Sequence, residues 1–185
     1  MHVESGASVA VIGLGAVGLS TVMGAKIAGA GPIAAFDRIQ SRVAMAEEFG
    51  ASCAIEITGE LSETAEAANL ADFDYIIDTT GVTEVLQQAV GLLAPKGALA
   101  LVAAYAPEPK LWIDPSYIMS GGRRVIGVVE GDSDPQTFIP KLIEHHREGR
   151  LPFDRMIQYY PFDRILDAIS DGETGKTIKP VIRMQ

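Results

Sequence analysis

Apolar residues in this chain alternate between short β-branched runs and longer segments at helical spacing, and the alternation predicts the fold. Residues 9–12 (VAVI) form an apolar run that breaks into Gly13, Gly15 and Gly18, and residues 17–30 (VGLSTVMGAKIAGA) continue as a small-residue helix suited to lying close on a sheet. The pattern repeats with a strand at 32–37 (PIAAFD) and a helix at 41–49, with Ser41 as N-cap and Gly50 as its stop. A short third strand follows from Cys53 to Ile57, and 60–71 reads as an acidic, partly helical crossover. The second half opens at Tyr75 with YIIDTTG, continues with a helix at 83–94 stopped by Pro95 and Gly97, and carries strands at 98–104 and 123–129. Between those two strands lie a Pro-containing connection with Trp112 and a short helix near 115–120. Strands alternating with helices through right-handed crossovers give an α/β domain, a parallel doubly wound sheet of about six strands.

From about Gly131 the character changes. Residues 135–148 read as helical apart from Pro140, 155–160 as strand, 161–170 as helix and 177–184 as strand, with no obvious third βαβ unit. This segment reads as a tail that docks on the sheet edge or on a second domain.

Composition narrows the function classes. With 185 residues, 48% hydrophobic and 21% charged, the chain can bury one full core and an appended subdomain. A formal net charge of −9 argues against nucleic acid and anionic membrane as partners, and Arg123–Arg124 and His145–His146 are too isolated to reverse that. Residues 5–25 carry no charge, but their glycines and their strand-then-helix pattern mark a buried strand and its packed helix rather than a membrane span. Cys53 is the only cysteine, which excludes an internal disulfide and a cysteine cluster for zinc; it reads as a buried small hydrophobe in a reducing compartment, the cytoplasm.

The glycine turn carries the chemistry. A strand feeding a glycine turn and a helix leaves backbone N–H groups unpaired at the positive end of the helix dipole, where a diphosphate can accept them. Gly13 serves the tight turn, Gly15 the close approach of a pyrophosphate, and Gly18 the close packing of the helix. Such a motif alone is a weak signal in a chain with 19 glycines, but Asp37, at the end of the next apolar run and 19 residues beyond Gly18, strengthens it. Its carboxylate can accept hydrogen bonds from both hydroxyls of an adenosine ribose. A 2′-phosphate near Asp37 meets repulsion of roughly 1–4 kcal/mol per unit charge at ~4 Å, which favours NAD over NADP. Arg38, the next residue, offsets part of that repulsion.

The order of motifs resembles the cofactor-binding half of the zinc-dependent medium-chain alcohol dehydrogenases. It comprises GLGAVGLSTVMGAKIAGAGPIAAFD, the FGA after the second helix, DYIIDTTG, LAPKGALALVA and, near the end, GETGKT. GVVEGDS followed by PQTFIPKLIE is most similar to the aryl-alcohol (benzyl-alcohol) branch. The resemblance implies a Rossmann domain over 1–130 and a C-terminal α+β segment over 131–185 that completes an otherwise absent catalytic domain. It implies that backbone groups of Leu14, Ala16 and Val17 face the pyrophosphate, and that Asp37 and Arg42 meet the adenosine ribose. Thr79, Thr80, Gly81 and Val82 would border the adenine and the nicotinamide ribose, and Val102, Ala103, Ala104, Val128 and Glu130 the nicotinamide. Lys176 would stand against the pyrophosphate, or else in a solvated loop. It further implies pairing of two copies through the edge strand at 123–129.

The same family places its zinc ligands mostly upstream of the cofactor domain, and neither His2 nor His145–His146 supplies a ligand set here. Adjacent residues on a helix do not share a face. No catalytic or metal-binding residue is therefore expected in this chain, which reads as a fragment: the NAD-binding domain of an enzyme that oxidises aryl primary alcohols to aldehydes by hydride transfer, inactive alone. A stand-alone NAD-binding or redox-sensing module is the alternative, and a methyltransferase with a sulfonium cofactor is a third reading, in which Gly18 and the basic residues have no role.

Overall fold

The computed structural model describes residues 2–105 and 110–184, so part of the Pro-containing connection before residue 115 lies outside the described residues. The chain divides into two compact units, Met1–Phe138 and Ile139–Gln185.

The first unit is built on a six-stranded sheet. Its strands are β1 (Val9–Ile12), β2 (Ile33–Asp37), β3 (Cys53–Glu56), β4 (Phe73–Asp78), β5 (Leu93–Leu101) and β6 (Arg124–Gly127), in the order β3-β2-β1-β4-β5-β6. Every pairing is parallel. The helices between them are α1 (Ala16–Ile27), α2 (Gln40–Phe49), α3 (Leu61–Ala67), α4 (Thr83–Val90) and α5 (Pro115–Gly121). All residues of β1 and β2 are buried, as strands covered on both faces must be. On one face Ala10, Ile12, Phe36, Ile76 and Leu99 pack with Leu61 and Ala65 of α3 and Leu86 and Ala89 of α4. Phe36 has no exposed surface, and its burial contributes roughly 1.5–3 kcal/mol.

Chain order reverses at β1, which lies between β2 and β4. Ile12 pairs with Phe36 on one side and with Asp78 on the other, so the carboxyl ends of the three strands lie level around one crevice.

Several local expectations are corrected. Helix α1 ends at Ile27, not at residue 30, because the chain turns at Gly29. Helix α2 begins at Gln40 with Ile39 as its N-cap, and Ser41 lies inside it rather than capping it. The Ile39 N–H is instead taken by Oδ1 of Asp37 at 2.9 Å. Gly50 does close α2, in the left-handed region. Helix α4 stops at Val90 rather than at residue 94, because Leu93 already pairs with Phe73. Pro95 and Gly97 do not end a helix; they sit in an irregularity of β5, where pairing jumps from Phe73–Leu93 to Tyr75–Ala98. Strands β5 and β6 end at Leu101 and Gly127, short of residues 104 and 129. Cys53 is half-buried on the edge strand β3, not fully buried.

Helix α6 (Pro135–Arg147) continues through Pro140. The second unit then holds β7 (Ile157–Pro161), α7 (Ile165–Glu173) and β8 (Lys179–Arg183), and β7 pairs with β8 in parallel. The tail therefore does contain a βαβ unit, which its mixed strands IQYYP and KPVIR conceal in the sequence.

A Cβ on Gly18 would lie 1.7 Å from the carbonyl oxygen of Gly13, a backbone atom that cannot rotate away. Gly18→Ala should therefore destabilise the fold by about 3 kcal/mol, visible as a lowered midpoint in urea unfolding.

Candidate functional site

The turn after β1 is held from two sides. The Gly13 N–H donates to Phe36 O at 2.8 Å, and the Thr79 N–H donates to Ile12 O at 2.9 Å. The Thr79 hydroxyl lies 2.8 Å from the carbonyl oxygen of Gly13 and 3.1 Å from that of Ile12. Gly13 has φ +85°, and a Cβ there would stand 2.7 Å from Thr79 Oγ1, so the turn admits no other residue without strain.

Helix α1 follows with Gly15 as its N-cap and no side-chain cap. Its first intrahelical bond runs from Leu19 N to Gly15 O at 2.9 Å, and the N–H groups of Ala16, Val17 and Gly18 have no partner among the described residues. A Cβ on Gly15 would meet nothing within 4 Å. Three unpaired donors thus stand at the positive end of a helix, with open space beside Gly15 and Gly18 itself buried, an arrangement that can bind a phosphate.

Asp37 closes the other wall and is 7% exposed. Its Oδ2 accepts from the Leu14 N–H at 2.5 Å, so Leu14 spends its N–H inside the protein while those of Ala16 and Val17 stay available. Nη1 of Arg42, one helical turn on, is 3.8 Å from the same oxygen, and Nε of Arg42 is buried without a hydrogen-bond partner. The carboxylate retains lone pairs beyond these donors, and the guanidinium retains an unmet N–H. Arg38 is exposed. These groups fit a ribose linked to a diphosphate: acceptor capacity at Asp37, a cation at Arg42, and amide donors at α1.

The remaining predicted residues of the first unit gather at the ends of β4, β5 and β6. Gly81 packs on the Ala104 carbonyl, where an added Cβ would be 2.7 Å away. Val102 N–H donates to Asp78 O at 3.2 Å, and Val128 N–H to Leu101 O at 3.0 Å. Val82 and Ala104 are exposed, Ala103 is half-buried, and Glu130 is exposed with φ +51°. Val102 and Val128 also line a cavity of about 340 Å³ beside Thr21 and Gly24 of α1. A cavity of about 550 Å³ lies toward the amino ends of the strands, around Asp74, Lys96 and Arg124, away from the glycine turn.

Lys176 belongs to the second unit. Its Nζ lies 3.0 Å from both oxygens of Asp171, which raises the lysine pKa and, together with a hydrogen bond from Tyr160, lowers that of Asp171.

Two residues not singled out from the sequence prove central. Asp78, the last residue of β4, is fully buried, and its Oδ1 accepts from Thr80 Oγ1 at 2.7 Å and from the Thr80 N–H at 3.2 Å. Its Oδ2 accepts from the Tyr105 hydroxyl at 2.8 Å. Burial, then the hydrogen bond to Asp78 and its charge, push the Tyr105 phenol well above the usual tyrosine range. An acid closing the apolar run YIID was the available signal for Asp78; nothing local marks Tyr105.

Among the described residues no group of three or more His, Cys, Asp and Glu side chains could hold a metal ion, so no zinc ligand set is assembled from them. None of their helices is long and apolar enough to cross a membrane.

Comparison with known proteins agrees with this geometry. Residues 16–145 match the family described as zinc-binding dehydrogenase. Geraniol dehydrogenase from Castellaniella defragrans is 36% identical over 98% of this chain and 49% of its own length. An alcohol dehydrogenase zinc-binding domain protein from Burkholderia ambifaria superposes with a TM-score of 0.93 at 40% identity, over 99% of this chain and 50% of that one. Benzyl alcohol dehydrogenase from Acinetobacter calcoaceticus gives 0.90 at 33% identity, over 99% and 51%. A zinc-binding dehydrogenase structure from Sinorhizobium meliloti, 26% identical over 97% of this chain and 53% of that one, with a TM-score of 0.83, was solved bound to NADP. The chain spans about half the length of the curated relatives it matches. The family match, the doubly wound sheet and the glycine turn agree: this chain belongs to the zinc-binding dehydrogenase family, zinc-dependent alcohol dehydrogenases among its relatives, and corresponds to the cofactor-binding half.

Proposed function

We propose that this chain binds NAD as the cofactor half of an alcohol dehydrogenase that oxidises primary alcohols, aryl alcohols foremost, to aldehydes. The unpartnered N–H groups of Ala16, Val17 and Gly18, opposite the Asp37 carboxylate and beside the open space at Gly15, are the observation that carries the reading. The nicotinamide, when bound, supplies a hydride acceptor. The protein's part is to hold it: amides of α1 take the diphosphate, Asp37 and Arg42 take the adenosine ribose, residues 79–82 border the adenine and the nicotinamide ribose, and residues 102–104, Val128 and Glu130 frame the nicotinamide. In this reading residues 1–130 form the dinucleotide-binding domain and 131–185 complete a catalytic domain. Among the described residues no group of three or more His, Cys, Asp and Glu side chains could hold the zinc of such an enzyme.

The substrate class draws support from two relatives. Benzyl alcohol and geraniol, named in relatives 33% and 36% identical, are both primary alcohols whose carbinol carbon adjoins a π-system. NAD is preferred to NADP because Asp37 repels a 2′-phosphate, although one relative was solved with NADP.

The chain should enhance NADH fluorescence on titration, bind NADPH more weakly, and show no affinity for S-adenosylmethionine. Absence of NADH binding overturns the function, and turnover of benzyl alcohol by this chain alone overturns the view that it is inactive by itself. Gly15→Ala places a methyl group where the diphosphate approaches and disturbs nothing in the protein. It should weaken NADH about tenfold or more while stability, by thermal melt, changes by no more than about 1 kcal/mol. Asp37→Asn should shift the ratio of NADPH to NADH dissociation constants about tenfold toward NADPH in calorimetric titrations.

A further inference from the structure

We propose that Asp78 is a positioning residue for the nicotinamide end of the site: through Thr80 and Tyr105 its carboxylate ties the loop at 79–82 to the chain at 102–105. The proposal rests on the NAD reading above. Asp78 ends β4 at the point where chain order reverses, paired with Ile12 on one side and Leu101 on the other. It is fully buried, and among the described residues no cation pairs with it; its partners are neutral donors, the Thr80 N–H, the Thr80 hydroxyl and the Tyr105 phenol. A buried carboxylate held only by neutral donors costs stability that an apolar residue, like its neighbours Ile76 and Ile77, would not. The compensation is geometric. Thr80 Oγ1 donates to Asp78 and accepts the Val82 N–H at 3.1 Å, so the carboxylate sets the path of residues 80–82. On the other side it holds Tyr105, whose phenol stays protonated and donating at working pH because burial and Asp78 raise its pKa. Between the two anchors, Gly81 meets the Ala104 carbonyl too closely for a Cβ. None of these bonds is shared with the Asp37 wall, which is built from Leu14, Ile39 and Arg42. The adenosine-ribose wall at Asp37 and the nicotinamide end are therefore positioned by separate networks.

The test compares NADH with ADP-ribose, which lacks the nicotinamide, by calorimetry on the wild-type chain, Tyr105→Phe and Asp78→Asn, with melting temperatures alongside. In Tyr105→Phe, which frees residues 102–105 and keeps the Thr80 bonds to Asp78, NADH should weaken about tenfold while ADP-ribose stays within about twofold of wild type; in Asp78→Asn both should weaken, NADH the more. Tyr105→Phe keeps the ring and decides the question by itself if Asp78→Asn does not fold. Equal weakening of both ligands marks a general structural role and overturns the proposal, as does NADH affinity within twofold of wild type in Tyr105→Phe. Wild-type chain that binds ADP-ribose as tightly as NADH overturns it too, because the nicotinamide end then contributes nothing. Binding of neither ligand by wild type overturns the NAD reading itself, and the proposal with it.

Discussion

Helix α1 starts so close to the end of β1 that the Cα hydrogen of Gly18 faces the Gly13 carbonyl, with no room for a methyl group between them. That backbone contact governs the first unit. The chain turns there with Gly13 at positive φ, and the N–H groups of Ala16, Val17 and Gly18 have no partner among the described residues. Thr79 answers from β4 by bonding the carbonyls of Ile12 and Gly13, so the turn is fixed by the strand that follows as well as by the one that precedes it. The first amides of any helix lack an intrahelical partner, and here no side chain caps them.

Two buried acids flank this turn, one at the end of each strand beside β1. Asp37 accepts the Leu14 and Ile39 N–H groups, and Asp78 accepts from Thr80 and Tyr105. Both carboxylates accept hydrogen bonds from the protein itself through both of their oxygens. Each thereby fixes a loop: Asp37 the glycine turn and the entry to α2, Asp78 the two loops beyond β4 and β5. Charge-assisted bonds of this kind are roughly twice as strong as neutral ones and hold position in a low dielectric, where a misplaced donor would be costly. Asp37 therefore holds backbone on both sides of the crevice, a task its sequence position did not suggest.

Much of the arrangement was legible in the residues. The runs VAVI, IAAFD, YIID and ALAL declared buried parallel strands, and Gly13, Gly15 and Gly18 each occupy the place their spacing implied. The errors have a common cause. Ser41 looked like a cap because its type caps helices, but the helix already starts at Gln40, with the Arg42 and Val43 N–H groups bonded to the Ile39 carbonyl. LLA at 92–94 looked helical because its apolar spacing continues α4, yet Phe73 recruits Leu93 into the sheet. IQYYP and KPVIR hid a parallel pair because each is half exposed and carries polar positions.

Local patterning and the chemistry of single residue types thus determined which segments are strands, where the glycine turn lies and which acid stands at the tip of β2, since these depend on neighbours within a few positions. Tertiary structure alone decided that Leu14 gives its amide to Asp37, 23 residues away, and that Tyr105 reaches Asp78, 27 residues away. Those partners meet only when parallel strands are laid side by side in the order β3-β2-β1-β4-β5-β6, because register across a sheet, not distance along the chain, sets which donor faces which acceptor.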